Sequence, residues 1–137
     1  MDFYLNYDNQ LKRLINDYEK WGKLVIAYDF DNTVYDYDNN DCEHRNVIEL
    51  LRKLAKYGHF LCYTCRLQED YQMIMEYLNM NCIPCDKLND NIVELDFNMA
   101  KKPFYHILLD DRAGLTSAYN LLYDFYHNYI LLKEERI

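Results

Sequence analysis

The first amphipathic stretch of the chain predicts a helix near residues 5 to 20, because Leu11, Leu14 and Tyr18 recur at three- and four-residue spacing. Gly22 follows this stretch and is suited to ending the helix. Apolar residues recur with the same helical spacing in three later parts of the chain. Further helices are therefore predicted at residues 47–54, 71–78 and 115–131.

Short apolar runs separate these amphipathic stretches. The run Leu24–Tyr28 is typical of a strand buried on both faces of a sheet. Further strands are predicted at residues 60–63, 82–83 and 107–109, and a short one at 92–95. Because strands alternate with helices, the pattern predicts an α/β fold with a parallel sheet and right-handed crossovers.

The length of the chain suits one domain spanning residues 1–137. We expect a three-layer Rossmann-like parallel sheet of four to five strands, with a core over residues 23–115. The helix at residues 5–20 precedes this core, and the C-terminal helix at 115–131 follows it. The sequence contains neither an internal repeat nor a low-complexity linker.

Composition narrows the class of protein. Half of the 137 residues are hydrophobic and 28% are charged, which is typical of a soluble globular protein. The net charge of −8 argues against tight binding to nucleic acid, since such affinity comes mainly from Lys and Arg. The chain lacks an apolar run of membrane-spanning length and a signal-like N-terminus. We therefore expect a cytoplasmic protein whose five cysteines stay reduced.

Polar residues follow three of the predicted strands, at the point where each strand ends. They are Asp29 with Asp31, Thr64 with Arg66, and Asp110 with Asp111. Ligands of parallel α/β sheets bind beyond the carboxyl ends of the strands. We therefore expect these three groups to meet at one edge of the sheet and to form a site there.

The segment Asp29–Val34 reads Asp-Phe-Asp-Asn-Thr-Val and resembles the first motif of the haloacid dehalogenase superfamily, which follows a buried strand. Thr64 at the end of the next strand resembles the second motif of that family. Lys102 resembles the third-motif lysine, and Asp110 with Asp111 resembles the acidic fourth motif. The order of the motifs matches over residues 23 to 115, which favours a small member of the superfamily with this fold.

The resemblance implies a phosphatase that forms an aspartyl phosphate on Asp29. A carboxylate nucleophile divides a slow hydrolysis into two easier steps. Asp31 would protonate the leaving oxygen and later accept a proton from the attacking water. Dehalogenases of the superfamily lack this second aspartate, because a halide leaves without a proton. Asp31 therefore favours phosphoryl chemistry.

The resemblance also implies a Mg²⁺ cofactor, since a hard cation with oxygen ligands relieves the repulsion between clustered carboxylates. The expected ligands are Asp29, the backbone carbonyl of Asp31 and Asp111, with Asp110 orienting the lysine or a metal-bound water. The choice between Asp110 and Asp111 as the direct ligand stays open.

Phosphate oxygens would be held by three side chains that the resemblance marks. They are Thr64, Lys102 and Arg66. Lys101 is an alternative to Lys102, and a surface salt bridge is the alternative role for Arg66. Arg112 is more consistent with a structural role at the start of a helix than with binding substrate. Tyr35 and Tyr37 either stack on a ring of the substrate or simply pack within their loop.

A zinc site is a rival interpretation of the cysteines. Cys62 with Cys65 and Cys82 with Cys85 form two Cys-x-x-Cys pairs, a spacing used by four-cysteine zinc sites. Cys62 falls inside an apolar run, however, where buried thiols behave as small hydrophobic groups. We therefore favour core or rim thiols over a zinc-stapled interaction domain.

The segment between Asp31 and Asn46 is too short for a helical cap domain, so the site should be open. An open site suits a phosphorylated small molecule or a macromolecular end, such as a nucleotide or a nucleic-acid 3′-phosphate. It also suits an oligomer in which a neighbouring subunit closes the site. A catalytically idle module with the same fold is the alternative to an enzyme.

Overall fold

The computed structural model describes residues 2–92 and 103–136. These residues form an α/β fold whose four-stranded sheet is parallel throughout and is flanked by helices. The strands are β1 (Leu24–Tyr28), β2 (Gly58–Cys62), β3 (Lys87–Leu88) and β4 (Ile107–Leu109). Their order across the sheet is β3-β2-β1-β4, so β1 lies between two partners. The predicted Rossmann-like fold class is confirmed.

The described residues form five α-helices. They are α1 (Tyr7–Trp21), α2 (Arg45–Lys53), α3 (Tyr71–Met80), α4 (Leu115–Phe125) and α5 (Leu131–Glu135). Short 3₁₀ turns occupy Phe3–Leu5 and Gln68–Asp70, and a π-helical segment, Tyr126–Ile130, joins α4 to α5. Helix α4 packs against both α1 and β4.

Local sequence signals set the ends of α1. The side chain of Asn6 accepts a hydrogen bond from the backbone of Asn9 at 3.0 Å, which caps the first turn. Gly22 adopts a left-handed conformation with φ of 81° and donates to the carbonyl of Tyr18, as a C-terminal cap does. The predicted role of Gly22 is therefore confirmed.

The core lies on both faces of β1, whose five residues are all buried. Register pairs Leu24 with Gly58 and Tyr28 with Cys62, so β1 and β2 end at the same level. On the other side, Tyr28 pairs with Leu109. The loops that leave these three strands consequently start beside one another.

The predicted strand at residues 82–83 is wrong. Cys82 lies in the turn that follows α3 and has a φ of 54°. Ile83 comes next and is buried, but it does not pair with another strand. The strand next to β2 is instead Lys87–Leu88, which is only two residues long. The predicted strand at 92–95 falls mostly outside the described residues. The C-terminal helix continues past its predicted end at residue 131, as far as Glu135.

No helix in the described parts of the chain combines the length and the apolar character that crossing a bilayer requires.

Candidate active site

A cavity of about 730 Å³ opens at the carboxyl ends of β1, β2 and β4. It is lined by the three polar groups that follow these strands: Asp29, Asp31, Thr64, Arg66, Asp110 and Asp111. The structure thus brings together the six described residues that the sequence assigned to a site. Parallel strands make this convergence necessary, because all of them end at the same edge.

Three carboxylates form the centre of the cavity. Asp29 continues β1 and is fixed by its backbone N–H, which donates to the carbonyl of Leu109 at 2.8 Å. One carboxylate oxygen from each of Asp29, Asp110 and Asp111 lies within 4.8 Å of the others. Among the described residues, these three form the one group of Asp, Glu, His or Cys side chains whose ligand atoms have the spacing of a metal site.

The pKa of Asp29 rises from its ordinary 3.8 to about 7. Burial is the largest cause, followed by the hydrogen bond with Asp111 and the negative charge of Asp110. A hydrogen bond from the backbone of Phe30 offsets part of the rise. Burial and the neighbouring carboxyl groups therefore disfavour the ionised form of Asp29 until a cation or another positive group is present.

Thr33 connects the first loop to the last. Its side chain is fully buried, and its hydroxyl accepts a hydrogen bond from the backbone N–H of Asp111 at 3.2 Å. The same hydroxyl lies 3.5 Å from the Asp111 carboxylate. Thr33 therefore fixes the position of Asp111 relative to Asp29, a role that was not predicted from the sequence. The place of Thr33 in the motif Asp29–Val34 is the sequence signal from which this role could have been predicted.

Asp31 is bound by Arg66 through two nearly parallel hydrogen bonds. The Arg66 Nη2 lies 2.7 Å from Oδ1 of Asp31, and Nε lies 2.9 Å from Oδ2. Asp70 lies 3.8 Å from the other end of the guanidinium. The predicted alternative of a salt bridge for Arg66 is therefore present, but inside the cavity and directed at the candidate general acid.

Aromatic rings surround the Arg66 guanidinium, whose central carbon lies 5.5 to 5.6 Å from three ring centroids. The rings belong to Phe30, Tyr35 and Tyr37. Arginine over an aromatic face is attracted by the electrons of the ring. These contacts stabilise the guanidinium in its position between Asp31 and the loop that follows β1.

Asn89 holds Thr64 in place. Its side-chain oxygen accepts from the Thr64 N–H and its amide donates to the Thr64 carbonyl, both at 2.7 Å. The Asn89 amide also reaches the hydroxyl of Tyr71 at 2.7 Å. The Thr64 hydroxyl accepts from the Arg66 N–H at 3.1 Å. No sequence pattern marked Asn89, because its contact joins segments 25 residues apart.

The two candidate phosphate lysines, Lys101 and Lys102, lie outside the described residues. Arg112 lines the cavity, and its N–H donates to Oδ1 of Asp110 at 2.9 Å. This bond orders the turn that precedes α4, but it comes from the backbone, so the role of the Arg112 side chain stays a prediction.

The structure does not bring the cysteines of the two Cys-x-x-Cys pairs into a cluster with the spacing of a metal site. Cys62 is buried and Cys85 half-buried, whereas Cys65 and Cys82 are exposed, and all are free thiols. Neither pair contributes to a metal-like cluster within residues 2–92 and 103–136. Burial raises the pKa of both Cys62 and Cys85, as expected for buried thiols.

The comparisons with known proteins support the fold of the chain only. No protein-family model matches the chain, and no curated protein matches it. A solved structure, of a conserved protein coded by a locus from Bacteroides thetaiotaomicron, is similar with a TM-score of 0.61 at 20% identity. The similarity covers 77% of this chain and 91% of that one. At this level of identity it supports the fold alone.

Proposed function

We propose that this protein is a magnesium-dependent phosphatase that hydrolyses a phosphate monoester through an aspartyl phosphate on Asp29. The observation that carries the proposal is the cluster of Asp29, Asp110 and Asp111 at the carboxyl ends of β1 and β4. Carboxylates this close repel one another, and a site of this kind is typical of divalent cation chemistry.

The donor set fits Mg²⁺. In an octahedral site with oxygen atoms at about 2.1 Å, neighbouring ligands lie about 3.0 Å apart and opposite ligands about 4.2 Å. The carboxylate oxygens of Asp29 and Asp111 lie within 4.8 Å of each other, so only small side-chain movements would bring these two ligands to such distances. The proposed ligands are Asp29, Asp111 and the backbone carbonyl of Asp31. A bound cation would offset the negative charge of the cluster and stabilise charge on the transferred phosphoryl group.

In the first step, a carboxylate oxygen of Asp29 attacks phosphorus and the bond to the leaving oxygen breaks. Asp31 gives that oxygen its proton, so the alcohol leaves neutral. In the second step, water gives a proton to Asp31 and attacks the same phosphorus. The bond between phosphorus and Asp29 breaks, which releases phosphate and restores both carboxyl groups.

Arg66 sets a condition on this sequence. Both carboxylate oxygens of Asp31 accept hydrogen bonds from Arg66, so Asp31 is not placed to donate a proton to a leaving oxygen. A phosphate dianion beside Thr64 competes for the same guanidinium. We propose that Arg66 moves from Asp31 to the phosphate when substrate binds, and that Asp31 then takes up a proton from water and acts as the acid. Lys102, or alternatively Lys101, would supply a second positive charge.

The Arg66–Asp31 pair also favours a second candidate function. If Arg66 does not release Asp31, the site binds phosphate in the presence of a cation without turning it over. The protein is then a catalytically idle binding module with the same fold.

The test is hydrolysis of a panel of phosphate esters by the purified protein, with Mg²⁺ and with excess chelator. We expect phosphate release that requires Mg²⁺ and that falls at least about 10⁴-fold in Asp29→Asn. Asp41→Asn is the matched control, because Asp41 is exposed and asparagine tolerates its φ of 52°. Phosphate binding without release would favour the idle module. Full activity in Asp29→Asn would exclude the proposed nucleophile.

A further inference from the structure

Two tyrosine rings line the same cavity as the carboxylates without belonging to the phosphate chemistry. Tyr37 lies in the loop after β1 and is 59% exposed, and Tyr63 directly follows β2 and is 38% exposed. They therefore approach the cavity from the two loops that also carry the acid and the phosphate-binding threonine. Apolar ring faces left in water are favourable surfaces for a planar ligand.

Neighbouring contacts show which rings are available. Tyr35 stacks on Phe30, with centroids 4.9 Å apart and planes 13° from parallel, and it meets Tyr77 edge-on at 5.2 Å. Tyr35 is thus committed to packing within the fold. The side chain of Tyr63 makes no hydrogen bond, ring contact or cation contact with any described residue. The ring of Tyr37 contacts the Arg66 guanidinium.

We propose that Tyr37 and Tyr63 form a subsite for the nucleobase of a nucleoside monophosphate. The inference rests on the phosphatase function proposed above, and it names the substrate class of that same site. Stacking on aromatic rings and on arginine is the sequence-tolerant way in which proteins hold bases. A cavity of about 730 Å³ lies within the usual range for ligands of this size.

Charge favours a free nucleotide over the end of a polynucleotide. The protein carries a net charge of −8, and Asp70 adds a carboxylate to the cavity wall. A chain of phosphates would be repelled by this surface, because polynucleotide affinity depends on many cationic contacts. In the reaction, the phosphate ester bond breaks, the nucleoside leaves with the proton from Asp31, and water supplies the new oxygen of the released phosphate.

Calorimetric titration with Mg²⁺ present tests the subsite by comparing adenosine 5′-monophosphate with ribose 5-phosphate, which lacks the base. We expect the nucleotide to bind at least about 5-fold more tightly than the sugar phosphate. Tyr63→Leu should remove most of that preference and leave ribose 5-phosphate binding within about twofold. Tyr63→Phe keeps the ring and should behave as wild type. Tyr123→Leu is the matched control, because Tyr123 is an exposed tyrosine of α4 that does not line this cavity.

Equal binding of the two ligands by the wild-type protein, or equal weakening of both by Tyr63→Leu, would overturn the subsite. A phosphorylated oligonucleotide that binds more tightly than the free nucleotide would overturn the choice of a mononucleotide. Turnover separates this inference from the phosphatase proposal. Base-dependent binding without phosphate release contradicts the phosphatase and supports the subsite. Phosphate release with no preference for the base contradicts the subsite alone.

Discussion

Replacing Asp29 by asparagine is expected to abolish turnover and, at the same time, to stabilise the metal-free protein at neutral pH. Burial and the neighbouring carboxylates raise the pKa of Asp29 to about 7, so its ionised form is unfavourable in the folded state. Asparagine has nearly the same shape and no charge. The variant therefore lacks the unfavourable free energy of placing a negative charge at this position in the folded protein.

The size of the effect follows from the pKa change. A rise from 3.8 to about 7 corresponds at most to roughly 4 kcal/mol. Asp29 is only half-buried, and water screens much of the repulsion between partly exposed charges. We therefore expect a gain of about 1–2 kcal/mol in the free energy of unfolding of the variant.

The sign and the pH window are fixed by linkage. Because the folded protein binds the Asp29 proton more tightly than the unfolded chain, wild-type stability falls as pH rises from 3.8 to about 7. The variant has no such proton. Its advantage should be absent below the lower value, grow through the window, and stay constant above the upper one.

Urea unfolding with excess chelator at about pH 4.5, 6 and 8 measures this difference, with Asp41→Asn as the control that should show none. Added Mg²⁺ should reverse the order at about pH 8, because cation binding stabilises only a site that keeps its carboxylate. An Asp29→Asn protein equal to or less stable than wild type at about pH 8 without metal would refute the electrostatic reasoning.

Three further outcomes are expected. Asp31→Ala should slow phosphoenzyme formation from an alkyl phosphate by at least about 10²-fold and from p-nitrophenyl phosphate much less, in single-turnover assays; equal slowing of both esters would exclude the acid role. Thr33→Val should weaken Mg²⁺ binding and lower stability by about 1 kcal/mol, because the Asp111 N–H loses its acceptor; Thr33→Ser should restore both, and unchanged Mg²⁺ titrations in Thr33→Val would contradict the positioning role. Asn89→Leu should raise KM for phosphate esters more than it lowers kcat, since it frees the Thr64 backbone; steady-state kinetics with unchanged KM would show that Thr64 is held by other contacts.

The central part of the fold was predictable because its signals are local. Leu24–Tyr28 is apolar throughout, and a strand buried on both faces needs such a run. Once strands and helices alternate, parallel pairing places every strand end at one edge. The meeting of Asp29, Thr64 and Asp110 in one cavity therefore required no knowledge of side-chain contacts.

The parts that could not be predicted depend on tertiary contacts. Ile83 is apolar and buried, yet it lies next to a turn and not in a strand. Hydrophobic periodicity cannot distinguish such a residue from a strand of two residues. The true strand, Lys87–Leu88, is too short to show alternation. The pairing of Arg66 with Asp31 spans 35 residues and depends on the rotamer of a long side chain. Such a choice of partner leaves no pattern in the sequence.

The bond between Asn89 and Thr64 has a consequence for how this protein can diverge. The Asn89 side chain accepts from the Thr64 N–H and donates to the Thr64 carbonyl, as a neighbouring strand would. The hydrogen bonding of the sheet thus continues toward the cavity through a side-chain amide. Two residues later, the side chain of Asn91 accepts from the N–H of Phe104 at 2.8 Å, which ties the two ends of the intervening segment together. Lengthening a segment closed at its base costs little, about 0.6 kcal/mol for each doubling. Additional residues can thus be inserted between Asn91 and Phe104 while Thr64 stays where it is.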